Sequence, residues 1–272
     1  MLKIGWSRKD VSTKEHVIIS GQHYARISKG ILDPVMLHCL VIEDGKDIVI
    51  FLSGDFVGGR YVLDLIREKV AKKREDIPIE KILFNVTHTH CGPTLIENHI
   101  HMQAPHEGMD IYPPEKYREF MTDMAAEAVV EAFDSREEGA LAYGYGYAVV
   151  SHSRRTVYKD DLSLRPGAVN NSSLEVNGHV KMYGPTKDDM FSGYEGGADH
   201  YVNLMYTFDK NAKLTGAIVN VPCPSQNSEF EWMLTADYWN DVRMKLKEKY
   251  GDIYILSQCA AAGDLSPRTL HY

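Results

Sequence analysis

Cysteine is scarce, with only Cys39, Cys91, Cys223 and Cys259 in 272 residues. Four widely spaced thiols in a chain this long do not make a disulfide scaffold. They predict reduced cysteines and a cytoplasmic protein. Long apolar runs are missing as well. None reaches the roughly 18 residues that a membrane span needs. The opening MLKIGWSRKD has no apolar segment of the signal-peptide kind. Basic residues are in deficit, 30 Lys and Arg against 38 Asp and Glu, for a net charge of −8. That balance excludes the basic footprint of a nucleic-acid binder. Internal repeats and low-complexity linkers are absent. What is there is ordinary globular composition, 44% hydrophobic and 25% charged, with ample length for a sizeable core.

Two β-branched runs, 38–43 and 47–53, flank Asp44-Gly45 and predict a hairpin. Val62, Leu65, Ile66 and Val70 fall at helical spacing over 60–74. A strand follows at 81–87. Pro113-Pro114 opens a helix whose inner face is predicted as Tyr117, Phe120, Met121, Met124, Ala128 and Ala132. Residues 139–150 read as a glycine-softened strand with Tyr143, Tyr145 and Tyr147 on one face, expected to pack in the core. Residues 151–200 carry turn chemistry, either a functional lid or a set of short strands. A second hairpin spans 201–208 and 214–221. Thr235 is the expected cap of a helix carrying Tyr238, Trp239, Val242, Leu246 and Tyr250, and 252–258 is the last strand. Strand–helix alternation predicts an α/β protein, a mixed β-sheet flanked by helices, over a single domain of residues 1–272.

Chemistry-bearing residues gather where strands end. Asp55 follows IVIFLS, His88 and His90 follow ILFNVT, Cys223 and Ser225 follow TGAIVNV, and Asp264 and Ser266 follow IYILSQ. Sites in open α/β sheets lie beyond the carboxyl ends of the strands. In extended chain, residues i and i+2 share a face, so His88 and His90 can enter one cavity. Imidazole and thiolate are zinc ligands. The same residues have structural readings: backbone caps for the histidines, a buried inert thiol for Cys223, turn residues for Asp264 and Ser266. Five of the twelve histidines fall between 88 and 106, including His99, His101 and His106, which favours a metal or acid–base site. Arg154 and Arg155 can clamp a carboxylate or polarised carbonyl.

These residues resemble a known family. NVTHTHCGP is similar to the Thr-His-Thr-His-Ser-Gly-Pro signature of the neutral, non-lysosomal ceramidases, with Cys91 where serine is usual. GILDPVMLHCLVIEDGKDIVIFLSGD resembles that family's N-terminal strand pair. CAAAGDLSPR resembles its Gly-Asp-Val-Ser-Pro-Asn segment, LTGAIVNVPCPSQ the strand that ends in a zinc-binding histidine, and LTADYW the segment opening the next helix. The order agrees from about residue 20 to 268, as in the N-terminal part of the family's catalytic domain.

The resemblance implies a zinc-dependent hydrolase of an N-acyl amide. It implies His88 as a metal ligand and His90 as a hydrogen-bonding or acid–base group, with Ser266 and Asp264 near the site. Arg154 or Arg155 would stabilise an oxyanion. Cys223 falls where the family has its second histidine ligand. The family's remaining ligands lie downstream of the Gly-Asp-x-Ser-Pro segment, so the chain reads as truncated. The implied partner is a small-molecule or lipid-like amide. Two alternatives stand beside this: a degenerate relative that binds without turnover, and an unrelated His-x-His metallohydrolase.

Overall fold

The computed structural model describes residues 1–96, 110–168 and 178–270. The chain divides into two compact units. The larger holds Met1–Tyr145, Asn203–Asn220 and Ser225–Cys259; the smaller holds Gly146–Val202, Val221–Pro224 and Ala260–Tyr272.

A strand absent from the sequence reading, β1 (Lys3–Asp10), is central in the larger unit. It pairs antiparallel with β4 (Met36–Glu43), which pairs antiparallel with β5 (Ile48–Gly54). The two-residue strands β2 (Ile18–Ile19) and β3 (Arg26–Ile27) form a separate ribbon. Strand β6 (Ile82–Val86) joins β5 in parallel, so the sheet is mixed. With β7 (Glu137–Tyr147), β12 (Tyr201–Asp209), β13 (Leu214–Val221) and β14 (Tyr254–Cys259), the eight-stranded order is β14-β13-β12-β7-β1-β4-β5-β6.

Alternation along β4 explains the layering. Leu37, Cys39 and Val41 face one core together with Ile50 and Leu52 of β5. Helices α1 (Leu63–Lys73) and α2 (Pro114–Asp134) close that core. Strand β1 meets α2 with small residues. Ser7 Oγ donates to Ala128 O at 2.6 Å, and a Cβ on Gly5 would lie 1.9 Å from Ala132 O, so only glycine allows this approach. On the opposite face Ile4, Trp6, Leu40 and Ile42 pack with Ile218 and Leu256. Trp6 stacks on Tyr254 with centroids 5.4 Å apart, and Ser53 Oγ donates to Ser257 O. Strand β14 therefore lies across the face of β1 and β5 that the helices leave open.

Several expected details differ. In α2, Phe120 is exposed, while Ala125 and Val129 join the buried face. The cap of α3 (Tyr238–Tyr250) is Asp237, whose side chain accepts from Tyr238 N. Thr235 Oγ1 instead accepts from Asp237 N at 2.9 Å and donates to Asp33. Tyr143, Tyr145 and Tyr147 are 70, 66 and 67% exposed, not core, because β7 is covered on neither face at these positions.

In the smaller unit, residues 151–200 do hold short strands. β8 is His152–Ser153, β9 Arg155–Tyr158, β10 Val180–Met182 and β11 Phe191–Tyr194. The order β10-β9-β11 forms one sheet, and β8 pairs with β15 (Leu265–Ser266). Tyr158 anchors the sheet by donating to Pro185 O at 2.9 Å. The Arg165 guanidinium lies 5.1 Å from its ring centroid and bonds both Asp160 and Asp188. No helix among the described residues is long and apolar enough to cross a membrane.

His38 shares the β4 face of Leu40 and is buried. Burial holds its imidazole well below the usual range, and the nearby charges of Arg243, Lys247 and Arg8 push the same way. The unfolded chain therefore takes up this proton near pH 6.5, while the native state does so only at lower pH. Stability from this group is present above pH 6.5 and is lost as pH falls below it, by about 1.4 kcal/mol per pH unit. His38→Leu is expected to flatten the acid limb of the stability–pH curve measured by urea unfolding between pH 7 and 5. An unchanged slope would contradict a buried neutral imidazole.

Candidate active site

The His88–His90 segment leaves β6 through a turn rather than as extended chain. Thr87 N bonds Gly54 O at 3.0 Å, and His88 has φ 58. That is left-handed backbone, uncommon and strained for a non-glycine residue. The i, i+2 argument for a shared face therefore fails in its premise. The two rings nevertheless lie close, with centroids 5.1 Å apart and planes at 66°.

Each ring is held. His88 Nδ1 lies 2.6 Å from Val57 O. A carbonyl only accepts, so Nδ1 carries the proton and the ring's lone pair is on Nε2. His90 Nδ1 lies 3.2 Å from Glu229 Oε2, and His90 Nε2 lies 2.9 Å from Gln226 Nε2. The tautomer that satisfies both neighbours places the proton on Nδ1, facing the carboxylate, with Nε2 accepting from the amide. Gln22 Nε2 donates to Glu229 Oε2 at 3.0 Å. Gly21, with φ +104, backs the ring: a Cβ there would lie 2.4 Å from His90 Cγ.

The backbone beneath is stitched by buried polar groups. His90 N donates to Ser225 O at 3.1 Å, and Ser225 Oγ donates to Thr87 O at 2.7 Å. Thr89 Oγ1 donates to Thr235 O at 3.0 Å. The fully buried Arg26 guanidinium bonds His90 O, Ser20 O and Glu231 O and touches Cys91 Sγ at 3.7 Å. Burial pushes the Cys91 thiol up to about 11, although Arg26 beside it pulls the other way. Cys91 is thus a neutral thiol, donating to Ser228 O at 2.9 Å.

Asp55 is fully buried and forms a two-point ion pair with Arg243 of α3, at 2.6 and 2.9 Å. It also accepts from Met36 N at 2.9 Å. Its role is structural.

The other expected residues lie in the smaller unit. Cys223 is buried and its Sγ lies 3.1 Å from Val150 O, to which a thiol donates. Arg154 N donates to Asp264 O at 2.9 Å, and its guanidinium bonds Gly263 O and Tyr183 Oη. Arg155 is paired with Glu195. Ser266, buried in β15, accepts from Arg268 N at 3.2 Å. Thus Arg154 comes together with the Gly263-Asp264 turn, and His88 with His90. His99, His101 and His106 lie outside the described residues. Gln22, Gln226 and Glu229 were missed by the sequence reading. Gln226 and Glu229 sit in PSQNSE, a polar cluster just past a strand, which was the available signal.

The donor chemistry of His88 suits zinc, since an Nδ1–H bonded to a carbonyl is the usual outer support of an Nε2 ligand. Among the described residues no group of three or more His, Cys, Asp or Glu is placed to hold a metal. They supply one fitting donor, not a full set.

With this geometry, comparison with solved structures is informative. Neutral ceramidase from Pseudomonas aeruginosa superposes on 97% of the chain with a TM-score of 0.73 at 19% identity. The fold is that of neutral ceramidase. A second structure, a ceramidase complexed with C2, gives a TM-score of 0.69 at 18% identity over 98% of the chain. The chain spans 39% and 38% of the lengths of these two ceramidases. No family model matches the chain, and no curated protein matches it by sequence. Likeness at this identity carries the ceramidase architecture, an α/β fold with a mixed sheet, to this chain.

Removing one partner of the Asp55–Arg243 pair strands a buried charge. Asp55→Ala is expected to lower unfolding free energy by about 3–5 kcal/mol. The double variant Asp55→Leu/Arg243→Met should recover much of that loss. Denaturant unfolding of the three variants checks this, and additive losses would refute the coupling. Cys91→Ser, which keeps a small donor toward Ser228 O, should change stability by less than about 1.5 kcal/mol.

Proposed function

We propose that the chain is a hydrolase of N-acyl amides, with a lipid-like, ceramidase-type amide as substrate and zinc as cofactor. The single observation that carries this is the His90–Glu229 pair, a buried imidazole and carboxylate set 5.1 Å, ring to ring, from a histidine posed as a metal donor. The ceramidase fold supports it.

His88 would hold the metal through Nε2. When bound, zinc supplies a water of pKa near 7 and polarises a carbonyl. The chain's own residues handle the proton. Glu229 orients His90 and stabilises the charge that the ring gains on taking up a second proton. His90 then gives a proton to the leaving amine nitrogen, which would otherwise depart as an unstable anion. Gln226 fixes the ring plane through Nε2, its amide donating to the neutral ring and, turned over, accepting through Oε1 from the protonated ring. The buried setting keeps these interactions strong.

One observation favours the alternative of a relative that binds without turnover. Cys223 donates to Val150 O and is therefore a thiol, whereas a zinc ligand is a thiolate. Metal content and turnover separate the two.

The expected outcome is zinc co-purifying with the chain, lost in His88→Ala, together with hydrolysis of an N-acyl amide. His90→Gln should lower kcat about 10²–10⁴-fold. Glu229→Gln should lower it about 10–100-fold, with melting temperatures near the parent's. Full kcat in both variants would overturn the role of the pair. A metal-bound chain that turns over no amide would leave the binding-only reading.

A further inference from the structure

Asp237 carries a backbone strain that its helix does not explain. It is 6% exposed, with φ 59 and ψ −145, beside the region that only glycine ordinarily occupies. An ordinary N-cap residue has extended backbone, and its side chain accepts from the second or third amide of the helix. Asp237 departs on both counts, since its Oδ1 takes the first amide of α3, Tyr238 N, at 2.9 Å. A relaxed Ser, Thr or Asn would cap α3 without the strain.

The second carboxylate oxygen shows what the strained backbone achieves. Asp237 Oδ2 accepts from Ser228 N at 2.6 Å. The loop around Ser228 carries both partners of the His90 ring, Gln226 and Glu229. The carbonyl of Ser228 is held as well, because Cys91 Sγ and Glu231 N both donate to it at 2.9 Å. With the N–H and the C=O of Ser228 pinned, its two soft torsions are fixed, and with them the direction in which the chain leaves for Glu229. The turn that aims Asp237 is braced from behind. Asp237 N donates to Thr235 Oγ1, and Asp33 accepts from the Thr235 hydroxyl and from Ala236 N at 2.8 Å. Strain persists only where the surroundings over-determine it, and it clusters at sites that must keep a geometry. We infer that Asp237 is a positioning residue: its Oδ2, locked onto Ser228 N, sets Glu229 against the His90 ring. This rests on the hydrolase reading for what the ring does, and on the hydrogen bonds alone for how the ring is set.

Three variants separate this role from helix capping. Asp237→Asn keeps Oδ1 for Tyr238 N but turns an amide donor toward Ser228 N. Asp237→Gly removes both contacts and relieves the backbone, whereas Asp237→Ala removes them and leaves the strain. The readout is proton NMR of the full chain at His90 Nδ1–H, whose hydrogen bond to Glu229 places its resonance downfield of the amides. That resonance is expected to move upfield or vanish in all three variants. kcat for an N-acyl amide should fall about 10–100-fold in each, with KM unchanged. Melting temperature should follow a different order, Gly above Ala, so that activity tracks the carboxylate and not stability. If Asp237→Ala does not fold, the Asn and Gly variants decide. No downfield resonance in the parent chain, a resonance that stays in place in a folded variant, or a resonance and kcat that recover with stability in Asp237→Gly overturns the positioning role. A resonance displaced as expected, in a chain that hydrolyses no amide, leaves the positioning role standing and removes the hydrolase reading.

Discussion

The larger unit depends on one buried ion pair. Asp55 stands where β5 ends, and Arg243 reaches it from α3 with two hydrogen bonds. Arg243 also donates to Ser257 Oγ of β14 at 3.1 Å, while Asp55 takes the amide of Met36 at the start of β4. One carboxylate and one guanidinium thus tie two central strands, a helix and the covering strand. Burying both charges is expensive unless their remaining valences are met. Here two of the four elements, β4 and β14, supply partners beyond the pair itself. The same constraint sets the site. Gly54 O, one residue before Asp55, receives Thr87 N, and Val57 O, two residues after, receives His88.

A second buried cation fixes the far side of that turn. Arg26 closes on the carbonyls of Ser20, His90 and Glu231, which come from three distant stretches of chain. Loops seldom run buried, because their backbone groups need partners. Guanidinium is the side chain with enough donors to satisfy several carbonyls at once. The His88–His90 turn is therefore held by Arg26 and Ser225 rather than by regular sheet pairing. That is how a left-handed histidine is tolerated at its centre.

The α/β class, the Asp44-Gly45 hairpin, the two flanking helices and the crowding of reactive residues past strand ends are all legible in the sequence. Each rests on local periodicity or turn chemistry. What is not legible is long-range. Strand β1 reads poorly because its helix-facing positions are Gly5 and Ser7, chosen for close approach to α2 rather than for hydrophobicity. Arg243 looks like a solvated helix residue until Asp55 meets it across 188 positions of chain. The tyrosines of β7 alternate like core residues, yet they are exposed, because alternation says which residues share a face and not whether anything covers it. His88 and His90 do come together, but through a turn that no i, i+2 rule describes. Glu229 was hidden for the same reason as Arg243: its partner is remote in sequence.

The cluster around His90 carries an energetic cost. His90, Gln226 and Glu229 are all buried, and Gln226 Oε1 has no hydrogen-bond partner among the described residues. An unmet buried acceptor costs about 1–3 kcal/mol. A carboxylate taken out of water adds a desolvation cost that its contacts, those with His90 and Gln22 among them, must offset. An apolar plug of similar volume would stabilise the same turn at lower cost. Arg26 and Ser225 already supply the structural stitching, so the imidazole–carboxylate pair is not needed to hold the chain. A ring with a proton to move would account for that cost, which agrees with the hydrolase proposed above.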